Sequence, residues 1–415
     1  MRLQIEKCIY GGAGLARAEG KAVFVPLTLP GEVVEAHIVE DKGSFANAEL
    51  DAVLEPSAER AGALCEYFRQ CGGCQYQHAT YAKQVELKLD ILRETLGRAR
   101  LTSIPEIVPV FAEPLGYRNR VRLHVQPEPF ALCYKKRASH SNLEVSRCPI
   151  ASPLLERALL VMTRTGTEFS REFDEIELFT NESEVLASFW TSKQIKDLPS
   201  KLKKTCQGLQ DEFPALIGAS VFSGDDARKL AEWGSQALKY PVAGLDYRVS
   251  SGSFFQVNRF LIDRLVELVT ATYSGGLVWD LYAGVGLFSR PLSERFGKVV
   301  AVEAAHSSWN DLRQNLSGEA HKTVRSGTLE FLRQQHGRPD LIVVDPPRTG
   351  LGNSVVSLLT KVRPQTMVYV SCDPATLSRD LRALVESGYH LRSMHMVDLF
   401  PQTFHLESVT VLSRG

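Results

Sequence analysis

Four apolar segments in the C-terminal part of the chain constrain its fold most strongly. Each one is rich in branched aliphatic residues and ends at a glycine or a polar side chain, and stretches with helical spacing separate them. Strands that alternate with helices predict a doubly wound, largely parallel sheet. We therefore expect an α/β domain of the Rossmann-like type over residues 246–415. The segments are LVWDLYAG, KVVAVEA, DLIVVDPP and MVYVSCDP.

The earlier part of the chain predicts two further units. Residues 1–55 contain short apolar segments separated by turns (LQIEKCIY, KAVFVP, VVEAHIVE and ANAELDAVLE), which is typical of a small β-barrel. Residues 56–245 mix short strands with helices, which indicates an α+β domain that begins with a cysteine-rich loop. Within it, residues 81–98 show the apolar spacing of a helix. Three domains suit a chain of 415 residues.

Composition excludes a strong general attraction for nucleic acid, because 48 basic residues balance 48 acidic ones. RNA binding would need local basic patches. The segment 117–137 is such a patch, with Arg118, Arg120 and Arg122 near its start, although these side chains could also belong to solvated strand faces. No apolar stretch reaches the roughly 20 residues that span a membrane, and no secretory signal is visible. We expect a cytoplasmic protein.

The glycine turn after the first apolar segment indicates a nucleotide-like cofactor. Gly284 and Gly286 allow a ligand to approach the backbone closely. The third glycine of the dinucleotide fingerprint is replaced by Ser289, which weakens that alternative. Glu303 ends the next apolar segment, where an acid can bind both hydroxyls of a ribose. An acid at this position could equally be a surface residue.

Two further strand ends carry reactive groups. Asp345 ends an apolar strand and precedes two prolines and Arg348, whereas enzymes that methylate amino groups usually have an aromatic residue after the prolines. Cys372 lies between a strand and a predicted helix, and a helix N-terminus lowers the pKa of a thiol. An isolated cysteine is otherwise usually an inert buried residue.

A thiol at this position suits methylation of carbon 5 of uracil. Addition of a thiolate to carbon 6 gives carbon 5 the character of a carbanion, which can then attack a methyl donor. A base must afterwards remove the proton on carbon 5 so that the cysteine can leave. Glu407, at the start of the strand SVTVL, is the candidate base, and a surface acid is the alternative.

The motifs DLYAGVG, DPPRTG, SCDP and HLESV, in this order, resemble those of the bacterial RNA 5-methyluridine methyltransferases. The cysteine loop resembles that of their 23S rRNA branch, and residues 1–55 resemble the OB-like TRAM domain, an RNA-binding module. The resemblance implies S-adenosylmethionine as cofactor, Cys372 as nucleophile and Glu407 as base. It implies cofactor contacts at Gln256, Tyr282, Gly284, Gly286, Glu303 and Asp345. The chain departs from the family pattern at Leu287 and near Gly327–Thr328.

Four cysteines form a candidate metal site. Cys65, Cys71 and Cys74 have the spacing C-x5-C-x2-C, and Cys148 precedes a proline. Groups of four thiolates bind zinc or an iron–sulfur cluster. The resemblance implies a [4Fe–4S] cluster, with zinc as the alternative.

We therefore expect a monomeric enzyme without membrane association that methylates 23S ribosomal RNA. Three alternatives stay open at this point. The substrate could be a transfer RNA, the chain could be an iron–sulfur oxidoreductase that uses an adenine dinucleotide, or it could be an RNA-binding protein without catalytic activity.

Overall fold

Three β-sheets and one separate hairpin organise the chain in the computed structural model, which describes residues 1–101, 103–166, 171–335 and 337–415. Each sheet has its own hydrophobic core, and the third sheet buries apolar side chains on both faces. Burial on both faces explains why its strands are continuous apolar runs.

The first sheet is curled and has the order β1-β5-β6-β4-β3-β2. Its two outermost strands come from one short segment, because only Ile5 and Glu6 separate β1 from β2. The segment LQIEKCIY was expected as one strand. It instead forms two short strands, β1 and β2, which pair with β5 and β3 at opposite edges of the sheet. The strands are β1 Arg2–Gln4, β2 Lys7–Cys8, β3 Ala13–Ala18, β4 Lys21–Pro26, β5 Val33–Asp41 and β6 Phe45–Glu55.

The second sheet has the order β10-β9-β8-β11-β12-β13-β14, and two helices cover one face. Most neighbouring strands are antiparallel, and β12 and β13 are parallel. The strands are β8 Arg120–Pro127, β9 Phe130–Lys135, β10 Asn142–Glu144, β11 Glu175–Thr180, β12 Val185–Thr191, β13 Leu216–Ser223 and β14 Lys229–Gly234, and the helices are α2 Pro153–Thr165 and α3 Leu198–Glu212.

The third sheet confirms the largely parallel α/β domain. Its order is β19-β18-β17-β20-β21-β23-β22-β7, and β23 runs antiparallel to both of its neighbours. The strands after residue 246 are β17 Gly275–Leu281, β18 Phe296–Glu303, β19 Lys322–Arg325, β20 Leu341–Val344, β21 Thr366–Ser371, β22 Tyr389–Val397 and β23 Glu407–Arg414. The helices are α4 Ile262–Thr270, α5 Ser289–Ser293, α6 His306–Asn315, α7 Thr328–Gln334, α8 Gly352–Val362 and α9 Pro374–Glu386.

The stretch 56–245 contributes strands to the second and third sheets and most of the separate hairpin. The predicted helix at 81–98 is confirmed as α1 Tyr81–Arg98, but its apolar face packs in the core of the third sheet. Strand β7 Ile107–Val110 pairs with β22 at the edge of that sheet. The hairpin β15 Ala237–Val242 and β16 Leu245–Ser250 also joins a core of the third sheet. The expected boundaries themselves stay predictions.

A search for membrane-spanning helices gives no candidate. Within the described ranges, every helix is too short or too polar to cross a bilayer.

Candidate active site

One cavity of about 480 Å³ brings together most of the predicted site. It lies where β17, β18, β20 and β21 end, the edge at which open α/β sheets bind ligands. The predicted residues that line it are Gln256, Tyr282, Gly284, Glu303, Asp345, Cys372 and Glu407. Several separate segments of the chain supply these side chains, so their convergence is a property of the fold.

The glycine turn and Glu303 form a polar end of this cavity. The carboxylate of Glu303 accepts hydrogen bonds from the backbone N–H of Gly284, at 2.9 Å, and of Ala305, at 2.6 Å. A Cβ atom added at Gly284 would meet no other atom within 4 Å, and the backbone there has φ +55°. Gly284 therefore leaves room for a ligand beside a fixed carboxylate.

Gly286 has a different environment from the one expected. It does not line the cavity, and a Cβ atom on it would lie 2.8 Å from Cδ1 of Leu312 in α6. Because Gly286 has no side chain, the turn can pack closely against that helix. The cofactor contact expected at Gly286 has no support in this geometry. Ser289, at the position of the missing third glycine, donates its hydroxyl hydrogen bond to the buried Asp280.

The nucleophile candidate lies in a tightly hydrogen-bonded turn between β21 and α9. Asp373 caps the helix by accepting hydrogen bonds from the N–H groups of Ala375, at 3.0 Å, and Thr376, at 2.9 Å. The hydroxyl of Ser408 in β23 donates to the carbonyl of Ser371 at 3.3 Å. These bonds hold the backbone on both sides of Cys372 and direct it toward the cavity.

The expectation of a lowered pKa at Cys372 is wrong. Burial, and then the nearby carboxylates of Glu407 and Asp345, raise the pKa of the Cys372 thiol to about 12. Arg348 acts in the opposite direction. Desolvation and two acids thus outweigh the helix N-terminus, and the thiol of the free protein is protonated at neutral pH.

The two acids are also protonated more readily than usual. Burial, and then Asp345, raise the pKa of Glu407 well above its usual range. Burial, and then Asp280, raise the pKa of Asp345 to about 7. A carboxyl group with the pKa of Asp345 can exchange protons near neutral pH, which general acid–base catalysis requires.

Arg348 and His405 lie beside the acids at the cavity wall. Arg348 approaches both ring nitrogens of His405, at 3.3 and 3.4 Å. Burial, and then Arg348, lower the pKa of His405 to about 4, so its ring is neutral and can accept a hydrogen bond. In the sequence, Arg348 belongs to the DPPRTG motif and marks a departure from nitrogen-methylating motifs, and His405 is the next candidate base after Glu407.

The segment that leads to Glu407 is held by the cysteine loop and by α1. The N–H groups of Gln75 and Tyr76 both donate to the carbonyl of Gln402, at 2.9 Å. Lys88 of α1 forms a fully buried ion pair with Asp398, at 2.6 Å, and donates to the carbonyl of Phe400 at 2.9 Å. No motif in the sequence pointed to these long-range contacts.

The four predicted metal ligands line a second cavity of about 430 Å³. Cys65, Cys71, Cys74 and Cys148 all contribute to its wall. In the part of the chain that the structure describes, no three His, Cys, Asp or Glu side chains are arranged as ligands of a metal ion. The four thiols thus share one cavity.

Two comparisons with protein families agree with these motifs. Residues 80–415 match the model of the family described as tRNA (Uracil-5-)-methyltransferase, and residues 1–50 match the TRAM domain. The first match covers more than half of the chain.

The chain belongs to this methyltransferase family.

Relatives resemble the chain over nearly its whole length. An uncharacterized RNA methyltransferase of Aquifex aeolicus is 32% identical over 99% of this chain and 98% of the relative. The 23S rRNA (uracil(1939)-C(5))-methyltransferase RlmD of Pectobacterium atrosepticum is 31% identical over 96% of this chain and 90% of the relative. The crystal structure of the Pyrococcus abyssi tRNA (uracil-54, C5)-methyltransferase with S-adenosyl-L-homocysteine has a TM-score of 0.79, 22% identity, and covers 99% of this chain and 100% of that one. The shared fold thus includes the TRAM domain and the C-terminal α/β domain.

The basic segment at 117–137 is only partly available to RNA. Arg118 lines the cysteine cavity, and Arg120 donates to the carbonyl of Ser253 at 2.8 Å while its guanidinium lies over the ring of Phe179. Arg122 is the exposed member of the three, with 48% of its side chain accessible, although it pairs with Glu175. Residues i and i+2 of a strand point to the same face, so the environments of Arg120 and Arg122 in β8 differ through their neighbours: Ser253 and Phe179 for Arg120, and Glu175 for Arg122.

Proposed function

We propose that this protein transfers a methyl group from S-adenosylmethionine to carbon 5 of a uridine in 23S ribosomal RNA. The observation that carries the proposal is the single cavity in which Cys372, Glu407 and Asp345 lie beside the glycine turn and Glu303. The relatives named as 23S rRNA uracil-C5 methyltransferases support the substrate class.

The residues around the glycine turn fit the proposed cofactor. The open space at Gly284 suits close approach of the nucleoside, and Glu303 is positioned to accept hydrogen bonds from ribose hydroxyls. Gln256 and Tyr282 line the same cavity. When bound, the cofactor supplies an electrophilic methyl group on a positively charged sulfur.

The proposed reaction begins at Cys372. Its thiolate forms a bond to carbon 6 of uracil, and the electrons of the 5,6 double bond move toward carbon 5 and the 4-carbonyl. Carbon 5 then forms its bond to the methyl group, whose bond to sulfur breaks with both electrons remaining on that sulfur. The positive charge of the donor is thereby lost.

Glu407 completes the reaction as general base. It accepts the proton from carbon 5, the electrons of that bond restore the double bond, and the bond from carbon 6 to Cys372 breaks to release the thiolate. Asp345 and Arg348 line the cavity beside both groups and can hydrogen-bond the polar edge of uracil. The net products are 5-methyluridine, the demethylated cofactor and one proton.

The first prediction separates the roles of Cys372 and Glu407. Glu407→Gln should form the covalent adduct and transfer the methyl group but fail to remove the proton, so a methylated protein–RNA adduct should accumulate. Cys372→Ala should form no adduct. General bases typically contribute about 10²–10⁴-fold in rate, so slow leakage through water is expected. The measurement is a denaturing gel with cofactor labelled in its methyl group and unmodified RNA.

The controls define what would contradict this assignment. Wild-type protein with 5-fluorouridine at the target should stall as an adduct, because fluorine cannot leave as a cation. Normal turnover by Glu407→Gln with no trapped RNA would remove Glu407 as the base. Parallel reactions with 23S rRNA and total transfer RNA test the substrate, and methylation confined to transfer RNA would overturn the ribosomal assignment.

We further propose that the four cysteines hold a [4Fe–4S] cluster. A cavity of about 430 Å³ with four thiols on its wall suits a group larger than one ion. Arg118 lines the same cavity and Arg137 interacts with Cys71, and three of their buried nitrogen atoms have no hydrogen-bond partner among the described residues: Nε of Arg118, and Nε and Nη2 of Arg137. Such buried donors favour an anionic group with several acceptor atoms. When bound, the cluster supplies a rigid cross-link between the cysteine loop and Cys148.

The second prediction concerns the metal. Protein purified without oxygen should contain about four irons per chain, as expected for this cluster type. The variants Cys65→Ser and Cys148→Ser should each lose iron. Cys206 is a buried thiol in the core of the second sheet, so Cys206→Ser should retain the iron. Iron analysis and the visible spectrum provide the measurement. Stoichiometric zinc in place of iron would refute the cluster.

A further inference from the structure

A side chain of the TRAM domain contacts the backbone of the proposed nucleophile, Cys372. Tyr10 lies in the turn between β2 and β3, and its hydroxyl donates a hydrogen bond of 3.2 Å to the backbone carbonyl of Cys372. The two residues are 362 positions apart in the chain. The bonds that Asp373 and Ser408 make around the same turn, in contrast, stay within the α/β domain.

The ring of Tyr10 also contacts the segment that carries the proposed base. It packs edge-on against Phe404, with ring centroids 5.4 Å apart and an interplanar angle of 90°. Phe404 in turn packs against His405 at 4.3 Å. One side chain of the TRAM domain thus touches both the nucleophile turn and the approach to Glu407.

The turn that carries Tyr10 is itself fitted to this position. Gly12 has φ +90°, and a Cβ atom on it would lie 3.0 Å from Cβ of Gln75 and 3.5 Å from Cβ of Phe404. A side chain at Gly12 would therefore strain the backbone and push the turn away from the active site.

We propose that Tyr10 is a positioning residue that fixes the Cys372 turn for attack on carbon 6, so that the TRAM domain completes the active site in addition to any contact with RNA. The inference rests on the proposed function, since it assigns Tyr10 to the adduct-forming step. Its hydroxyl holds the carbonyl of the nucleophile, and its ring holds the neighbouring segment. Adduct formation is the step that should respond to its removal.

The test uses Tyr10→Phe, which removes the hydroxyl and keeps the ring. With saturating RNA that contains 5-fluorouridine, and with cofactor, its single-turnover rate of adduct formation should fall about threefold to tenfold, the range expected for removal of one hydrogen bond. Its affinity for RNA and its iron content should match those of the wild type. Gly12→Ala, which keeps the hydroxyl but displaces the turn, should also slow the same step.

Tyr389→Phe is the matched control. Its buried hydroxyl donates to the carbonyl of Pro364 at 3.0 Å, remote from the cavity, so its adduct rate should equal that of the wild type. Equal rates for Tyr10→Phe and wild type would overturn the inference, as would weaker RNA binding at an unchanged rate or an equal loss in Tyr389→Phe. Absence of adduct in the wild-type lane would instead overturn the proposed function, and the inference with it.

Discussion

A thiol with a raised pKa should react slowly with an alkylating agent in the free protein. Burial and the two neighbouring acids raise the pKa of Cys372 from its ordinary value of 9.0 to about 12. At pH 8, this change lowers the fraction of thiolate about a thousandfold. A more basic thiolate is also a better nucleophile, and for a Brønsted coefficient of 0.4–0.5 this raises the rate constant of the thiolate roughly 15- to 30-fold. Native Cys372 should therefore react about 30- to 60-fold more slowly than an ordinary thiol.

The assay compares the same cysteine in two states of the protein. Iodoacetamide labelling of the peptide that contains Cys372 is followed by mass spectrometry in native and in urea-unfolded protein, from pH 6 to 10. Restricted access alone would slow native labelling but leave the midpoint of its pH profile at the ordinary value. A raised pKa should instead give a rate that keeps rising through pH 10.

Two variants test the electrostatic part of this explanation. Glu407→Gln removes the first of the two acids, so it should accelerate labelling of Cys372. Arg348→Gln removes the charge that favours the thiolate, so it should slow labelling further. A native labelling profile with its midpoint at or below the ordinary value of 9.0 would refute the reasoning, because the pKa of the thiol would then not be raised.

Two further predictions concern regions outside the reacting groups. Lys88→Met should destabilise the protein by about 3–5 kcal/mol in urea unfolding, because it leaves the fully buried Asp398 without its partner. The double variant with Asp398→Asn should recover most of that stability. A destabilisation below about 1 kcal/mol in Lys88→Met would contradict this explanation. Arg122→Gln combined with Lys136→Gln, which changes two exposed cations, should weaken RNA binding and flatten the logarithmic salt slope by about 0.7–0.9 for each phosphate that the protein no longer neutralises. An unchanged salt slope would remove this segment from the RNA-binding surface.

The sequence predicted those parts of the molecule that depend on local patterns. The apolar runs that end at Leu281, Glu303, Val344 and Ser371 were sufficient for the parallel sheet, since buried strands need continuous apolar residues. Parallel strands place their carboxyl ends at one edge, so the convergence of Glu303, Asp345 and Cys372 also followed.

Long-range packing was beyond prediction from local patterns. The helix α1 was located correctly, but nothing in its amphipathic pattern showed that it would pack in the third core and place Lys88 beside Asp398. The prediction of a lowered pKa at Cys372 was wrong for the same reason. The helix N-terminus is visible in the sequence, whereas the burial and the acid of β23, which outweigh it, come from distant segments.

In the proposed reaction, these electrostatics would link activation of Cys372 to cofactor binding. Asp345, Glu303 and Glu407 face a cavity whose lining, among the described residues, contains one permanent cation, Arg348. A sulfonium bound there would oppose the effect of burial and of the two acids on the pKa of Cys372, so the thiolate would form more readily when the methyl donor is present. In the proposed reaction, methyl transfer would leave a neutral thioether, which the acids would no longer attract. The carboxyl groups that act with burial to keep the thiol protonated in the free protein would thus, in the proposed reaction, favour entry of the charged donor and release of its neutral product.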